Sequence, residues 1–271
     1  MSKILCSTGA LVGRPNGRDF RLIGPLSKVL DCDGYEFMMY GCWYEEKEEL
    51  MQFLQGLRLD IPVVHCEKAI GERISAGGDS LKQAIADFEV NCYIAEELGA
   101  VKAVLHLWNG LVSDSAFENN MSAYPYLAEI AEKHGLELLI ENVVCNVKDP
   151  NRRIAELMEA YPDLKTVFDT KMAAFHSQLD ALYDESNRRL RNSIRHYHVN
   201  DYGGGHMDWK NLRTLPIGDG RIDFGKFFEY VASVGYNDTF TVESTAYSAD
   251  GSVNIDMLNR QFAFIREKLN K

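Results

Sequence analysis

Four side chains able to build a metal site recur at comparable places in this sequence. Glu141, Asp169, His198 and Glu243 lie in the stretches LELLIENV, LKTVFDTK, IRHYHVND and DTFTVEST, each near the end of a short apolar, β-branched or aromatic run. If those runs are parallel strands of one barrel, all four groups emerge at one rim. Three carboxylates and an imidazole gathered there repel one another unless a cation lies between them. Oxygen-rich ligation with one imidazole suits a single divalent ion: Mn2+, Mg2+, Co2+ or Zn2+. An ion holding a carbonyl and its neighbouring hydroxyl oxygen acidifies the adjacent C–H. Glu141 and Glu243 are then the acid/base pair, one taking the proton and the other returning it through an enediolate. Return to the opposite face of the same carbon is epimerisation, and return to the neighbouring carbon is aldose–ketose isomerisation.

Such a site needs elements that repeat, and the sequence supplies eight strand–helix units. The expected strands are KILCSTG, GYEFMMYGCW, IPVVHCEK, VKAVLHLW and LELLIENV, followed by LKTVFDT, IRHYHVND and DTFTVES. Between them lie segments of helical periodicity, including EEKEELMQFLQGL with Leu50, Phe53, Leu54 and Leu57 on one face. A long helix ends on Gly99, another stops at Gly135 as a left-handed cap, and a charged helix is expected over about 177–192. Strict alternation with no two adjacent strands predicts a parallel α/β fold. Eight units predict a closed (β/α)8 barrel, one domain over residues 1–271, with its active site at the C-terminal mouth of the strands.

Composition narrows the partners. The net charge is −11, and no basic stripe offers the Lys and Arg that neutralise phosphates, so nucleic acid is not the expected partner. No apolar run approaches a membrane span, and the N-terminal run reads as a first strand rather than a signal segment. Six scattered cysteines without C-x-x-C spacing read as free thiols. A soluble, cytoplasmic protein is expected.

The order LLIENV, VFDT, YHVND, the turn IGDGRIDF and a late TVES resembles the xylose isomerase-like TIM-barrel superfamily across essentially the whole chain. That group contains sugar isomerases, ketose 3-epimerases and a metal-dependent apurinic-site endonuclease. The resemblance implies that Glu141, Asp169, His198 and Glu243 bind the metal and that the two Glu exchange protons with substrate. His65 and His106 match positions where members carry His, for substrate in the isomerases or a further metal in the endonuclease. Met172 stands where many members carry His, and the loop DYGGGHMDWKNLRT lacks the endonuclease spacing. The epimerase Arg after the strand-seven His is also missing; Arg213 and Arg221 are the nearest candidates.

Further substrate-binding candidates are Trp108, which shares a face with His106 and could wall a pocket, Lys171, and His206 in the glycine-rich loop. Lys171 and that loop could cradle a sugar phosphate; a lid is the rival role for the loop. Glu67 would either hold the His65 ring or be a loop carboxylate, and His196, deeper in the barrel, reads as structural. The expected activity is isomerisation or epimerisation of a small sugar, keto-sugar or sugar phosphate. The alternatives are a metal-dependent lyase or phosphodiesterase, and a sugar-binding barrel without catalysis. A homo-oligomer is compatible with the resemblance, but no residue demands one.

Overall fold

A computed structural model describes residues 2–269. Eight parallel strands close on themselves in sequence order. They are β1 (Lys3–Ser7), β2 (Gly34–Met38), β3 (Val63–His65), β4 (Lys102–Leu105), β5 (Glu137–Glu141), β6 (Lys165–Asp169), β7 (Ile194–His198) and β8 (Thr239–Val242). The helices are α1 (Ile23–Ser27), α2 (Lys47–Leu57), α3 (Ala69–Ala76), α4 (Gly78–Glu97), α5 (Phe117–Lys133), α6 (Pro150–Ala160), α7 (Thr170–Phe175), α8 (Arg188–Ser193), α9 (Phe224–Ser233) and α10 (Ile255–Leu269). The fold is therefore the α/β barrel read from the sequence.

Period-two alternation sorts each strand between two cores. Outward residues such as Cys6, Phe37, Val64, Leu105, Ile140, Phe168, Tyr197 and Phe240 join the large core between sheet and helices. The inward residues Leu5, Val63, Val104, Leu139 and Val167 form a small apolar cluster inside the barrel. Strands β2, β7 and β8 carry Glu36, His196, Thr239 and Thr241 instead, all buried. The inward register on β5, β6 and β7 runs Leu139 to Glu141, Val167 to Asp169 and His196 to His198. An apolar or structural layer thus supports a polar one at the strand ends.

Several local expectations hold and others fail for physical reasons. Gly135 takes φ +69° just after α5, as a left-handed cap requires. All six cysteines are free. The helix expected over about 177–192 is broken into short 3-10 turns at Leu179–Leu182 and Glu185–Asn187 before α8. The Asp184 carboxylate accepts the Ser186 N–H at 2.9 Å, the kind of local bond that diverts Asp- and Ser-rich chain from a helix. β4 stops at Leu105, three residues short of the expected run, so the inward alternation does not extend to Trp108.

Two buried aspartates organise the loops at the mouth. Asp114 accepts the N–H groups of Asn146, Val147 and Lys148 at 2.8–3.0 Å and the Arg153 Nε at 2.7 Å. Burial would raise its carboxyl, but the Val147 N–H, the Arg153 guanidinium and the Lys148 and Asn146 N–H groups hold it at about 2. Replacing Asp114 with Ala breaks the buried pair with Arg153, leaves that guanidinium only the Glu156 carboxylate at 3.0 Å, and strands three loop N–H groups, which should cost roughly 3–5 kcal/mol. Urea denaturation would read this, and a loss below 1 kcal/mol would refute it.

Asp201 accepts N–H groups from Tyr202, Gly218, Gly220 and Ile222 at 2.8–3.1 Å, tying both ends of the 202–222 loop together. Gly220 is needed there because a Cβ would come within 2.3 Å of Asp201 Oδ1. In Asp201→Ala, amide hydrogen exchange across 202–222 should accelerate by about tenfold or more while the strands stay protected.

Candidate active site

The structure brings the four expected ligands together. Glu141, Asp169 and His198 are the last residues of β5, β6 and β7, and Glu243 follows β8 directly. Their geometry centres on His198 Nδ1. That nitrogen lies 3.5 Å from Glu141 Oε1, 4.0 Å from Asp169 Oδ2 and 3.5 Å from Glu243 Oε2. It is buried and makes no hydrogen bond among the described residues. Glu141, Asp169 and His198 offer ligand atoms within 4.8 Å of one another. A buried ring nitrogen facing three carboxylate oxygens without a bond is an arrangement that a divalent cation satisfies.

Neighbouring groups hold these side chains in place. Asp169 Oδ1 caps α7 by accepting the Met172 N–H at 2.7 Å, which leaves Oδ2 for the site. Asn142 brackets the end of β6 by accepting the Asp169 N–H at 2.6 Å. Asn200 Nδ2 donates to Asp169 Oδ2 at 2.9 Å and to Glu243 Oε2 at 3.0 Å, while its Oδ1 accepts the Glu243 N–H. One amide thus keeps two carboxylates of like charge in register.

Charge in the site is finely opposed. Burial alone would push His198 down, but Glu243, Glu36 and Glu141 hold it well above the ordinary imidazole range. Burial would raise Glu141, yet His106 and His198 hold it well below the usual carboxylate range. Glu243 is lowered despite burial, chiefly by His198. Asp169 is raised by burial, with Lys171 opposing and Glu141 and Glu243 reinforcing.

The substrate candidates divide. His106 Nε2 donates to Glu141 Oε2 at 2.9 Å, and His65 Nε2 approaches the same oxygen at 3.3 Å without forming a hydrogen bond. The two rings meet edge to face at 4.9 Å. Both histidines therefore belong to the cluster. Lys171 is buried, and its ammonium donates to Thr214 Oγ1 at 3.0 Å beside Asp169.

Trp108 and His206 are not brought to the ligands. Trp108 is fully buried against Phe117, with its indole N–H donating to the Val143 carbonyl at 3.1 Å, a packing role. His206 is exposed, with its ring 6.5 Å from that of His176. Glu67 resolves to the loop alternative: it caps Ala69 and pairs with Arg73 at 2.8 Å, while the His65 ring is held by the Cys66 carbonyl.

Sequence reasoning missed Glu36, Asn142, Asn200 and Lys68. Glu36 had a signal, being a carboxylate in the apolar run GYEFMMY at an inward position. Lys68, in the loop after β3, is a cation near both Glu243 and His106.

Comparisons with known proteins agree with the architecture. At a TM-score of 0.73 and 21% identity, the chain is similar to a D-tagatose 3-epimerase-like protein, covering 99% of this chain and 97% of that one. An L-ribulose 3-epimerase aligns at 0.72 with 16% identity, over 100% and 95%. A 3-keto-D-glucoside 4-epimerase from E. coli aligns at 0.65 with 16% identity, over 98% and 100%. In sequence, the chain is 26% identical to an uncharacterized protein of Methanocaldococcus jannaschii over 191 residues, 65% of this chain. It spans 61% of that relative's length. The sequence model of the xylose isomerase-like TIM barrel matches residues 27–268, and the chain belongs to that family.

Proposed function

We propose that the chain is a divalent-metal-dependent isomerase or epimerase of a small ketose, keto-sugar or sugar phosphate. The observation that carries this reading is the buried, unpartnered His198 Nδ1 facing Glu141, Asp169 and Glu243 at 3.5–4.0 Å. Those four residues would hold one Mn2+, Mg2+, Co2+ or Zn2+ ion. When bound, the ion supplies polarisation of a substrate carbonyl and the adjacent hydroxyl.

The remaining chemistry belongs to this chain. Glu243, held ionised, takes the proton from the carbon between those oxygens, and Glu141 must enter that step carrying the proton it returns to the enediolate. His106 steadies Glu141 through its Nε2–H, and His65 Nε2, which makes no hydrogen bond, is open to accept one from a substrate hydroxyl. Lys171 offers a cation to a hydroxyl, carboxylate or phosphate. The names of the structural neighbours, which include epimerases of ketoses and of a keto-glucoside, support a keto-sugar as the substrate class.

No helix among the described residues is long and apolar enough to cross a membrane. Six free thiols suit a reducing compartment, so we place the protein in the cytoplasm. The test is NMR of candidate ketoses incubated with Mn2+-loaded protein in deuterated water. Deuterium entering at the carbon beside the carbonyl is expected. Turnover without any exchange would exclude the two-carboxylate route.

A second reading has its own observation. His65, His106 and Glu141 offer ligand atoms within 4.8 Å of one another, and His65 Nε2 has no hydrogen bond. Two ions per chain by elemental analysis would favour metal-assisted cleavage, and one ion favours the isomerase.

A further inference from the structure

Glu36 lies in β2, across the barrel from the ligands of β5 and β6. It is wholly buried and points inward, between two histidines of β7. Its Oε1 accepts the His198 Nε2–H at 3.1 Å, and its Oε2 accepts the His196 Nε2–H at 2.9 Å. His196 is itself anchored, with Nδ1 2.6 Å from Thr239 Oγ1 and Nε2 3.0 Å from Thr241 Oγ1. The run Thr239, His196, Glu36, His198 is thus one continuous buried chain of hydrogen bonds, ending at Nε2 of the ring whose other nitrogen, Nδ1, faces the three carboxylates.

We propose that Glu36 is the positioning residue of the metal site, fixing the His198 ring so that Nδ1 stays free of hydrogen when the cation binds. This rests on the metal reading above. A neutral imidazole carries one N–H, and the hydrogen bond made by one nitrogen decides which nitrogen is left to bind metal. Without Glu36 the choice would go the wrong way. Glu141 Oε1 and Glu243 Oε2, each 3.5 Å from Nδ1, would attract the hydrogen there, and an Nδ1–H blocks ligation. A carboxylate on the far side of the ring draws the hydrogen to Nε2 and raises the basicity of Nδ1.

The second oxygen explains why β7 carries two histidines. His196 occupies Oε2, so Glu36 cannot swing away from His198. Glu36, His196 and His198 also offer ligand atoms within 4.8 Å of one another, a spacing that a cation could accept. Hydrogen bonding decides against a cation there. Each Nε2 already has its own Glu36 oxygen, whereas among the described residues the buried ring nitrogens without a hydrogen bond are His198 Nδ1 and His65 Nε2.

The test uses purified full-length protein stripped with a chelator, then titrated with Mn2+ or Zn2+ against a chromophoric competitor. Glu36→Gln keeps the volume but can accept from only one of the two histidines. Its affinity should fall about 10–100-fold, while the metal-free protein still melts cooperatively. Unchanged affinity beside normal wild-type binding overturns the proposal alone. A wild-type protein that binds no metal overturns the metal reading, and this proposal with it. Should Glu36→Gln fail to fold, 15N NMR of histidine-labelled, Zn2+-loaded wild-type protein still decides. His198 is expected to carry hydrogen on Nε2 and none on Nδ1; hydrogen on Nδ1, or none on Nε2, overturns the proposal.

Discussion

Glu243→Gln should lower turnover of the keto-sugar by about 10²–10⁴-fold, the usual worth of a positioned acid or base, while keeping most of the bound metal. Glu141→Gln should lose both. The difference follows from how the two carboxylates are held. Both Glu141 oxygens are engaged, Oε1 toward His198 and Oε2 with His106 and His65. An amide there would turn its NH2 toward a cation or toward a histidine N–H. Glu243 is freer, and it is the most exposed of the proposed ligands, at 10% of its side chain. It is therefore the better placed to meet the substrate carbon. Initial rates, deuterium uptake and metal content measured on the same samples would check this. Raising Mn2+ should restore a variant that only binds metal poorly and should not restore one that lacks a base. Wild-type turnover in either variant would end the two-carboxylate mechanism.

The legibility of this site has a physical basis. In a parallel barrel the period-two face of each strand and its C-terminal end are both readable from local composition. Glu141, Asp169 and His198 each close an apolar run, so three of the four proposed ligands fall on strand ends. Glu36 was harder because its meaning is not local. Its partner His196 lies 160 positions away, and only barrel closure brings the two histidines of β7 to the β2 carboxylate. Asn200 likewise joins β6, β7 and β8 through bonds that no single stretch of sequence contains. Trp108 went the other way. Alternation places it beside His106, but the regular strand ends at Leu105, and the indole turns to the Val143 carbonyl. Pattern rules hold only as far as the ladder that enforces them.

The polar half of the interior is also what gives up stability for function. β2, β7 and β8 place Glu36, His196, Thr239 and Thr241 where the other five strands place Leu or Val. An apolar layer would be simpler to bury. The polar one is kept satisfied by bonds between its own members, and among the described residues the open ring nitrogens above it are His198 Nδ1 and His65 Nε2. The barrel therefore concentrates its unsatisfied polar capacity at the rim, beneath the loops that Asp114 and Asp201 hold.

The open valence at His198 Nδ1 makes the fold sensitive to metal, and the effect has a defined pH dependence. Mn2+ at about 100 times its Kd should stabilise the stripped protein by roughly 2.7 kcal/mol, a rise in Tm on the order of 5–10 °C for a chain of this size. Asp169→Ala should abolish the rise. Without metal, Glu243, Glu36 and Glu141 overcome burial and keep His198 protonated well above its ordinary range. A group whose folded pKa is raised contributes stability that is fully present below its unfolded value, about 6.5. That contribution is lost as pH rises through the folded value. The metal-free protein therefore loses this support on going from pH 6 upward. Metal and proton compete for the same ring, so binding releases the proton and becomes tighter as pH rises. The metal-induced rise in Tm should accordingly grow between pH 6 and 9. Thermal melts at fixed Mn2+ across that range would measure it. A rise that is constant, or that shrinks with pH, would mean that His198 does not exchange a proton for the metal.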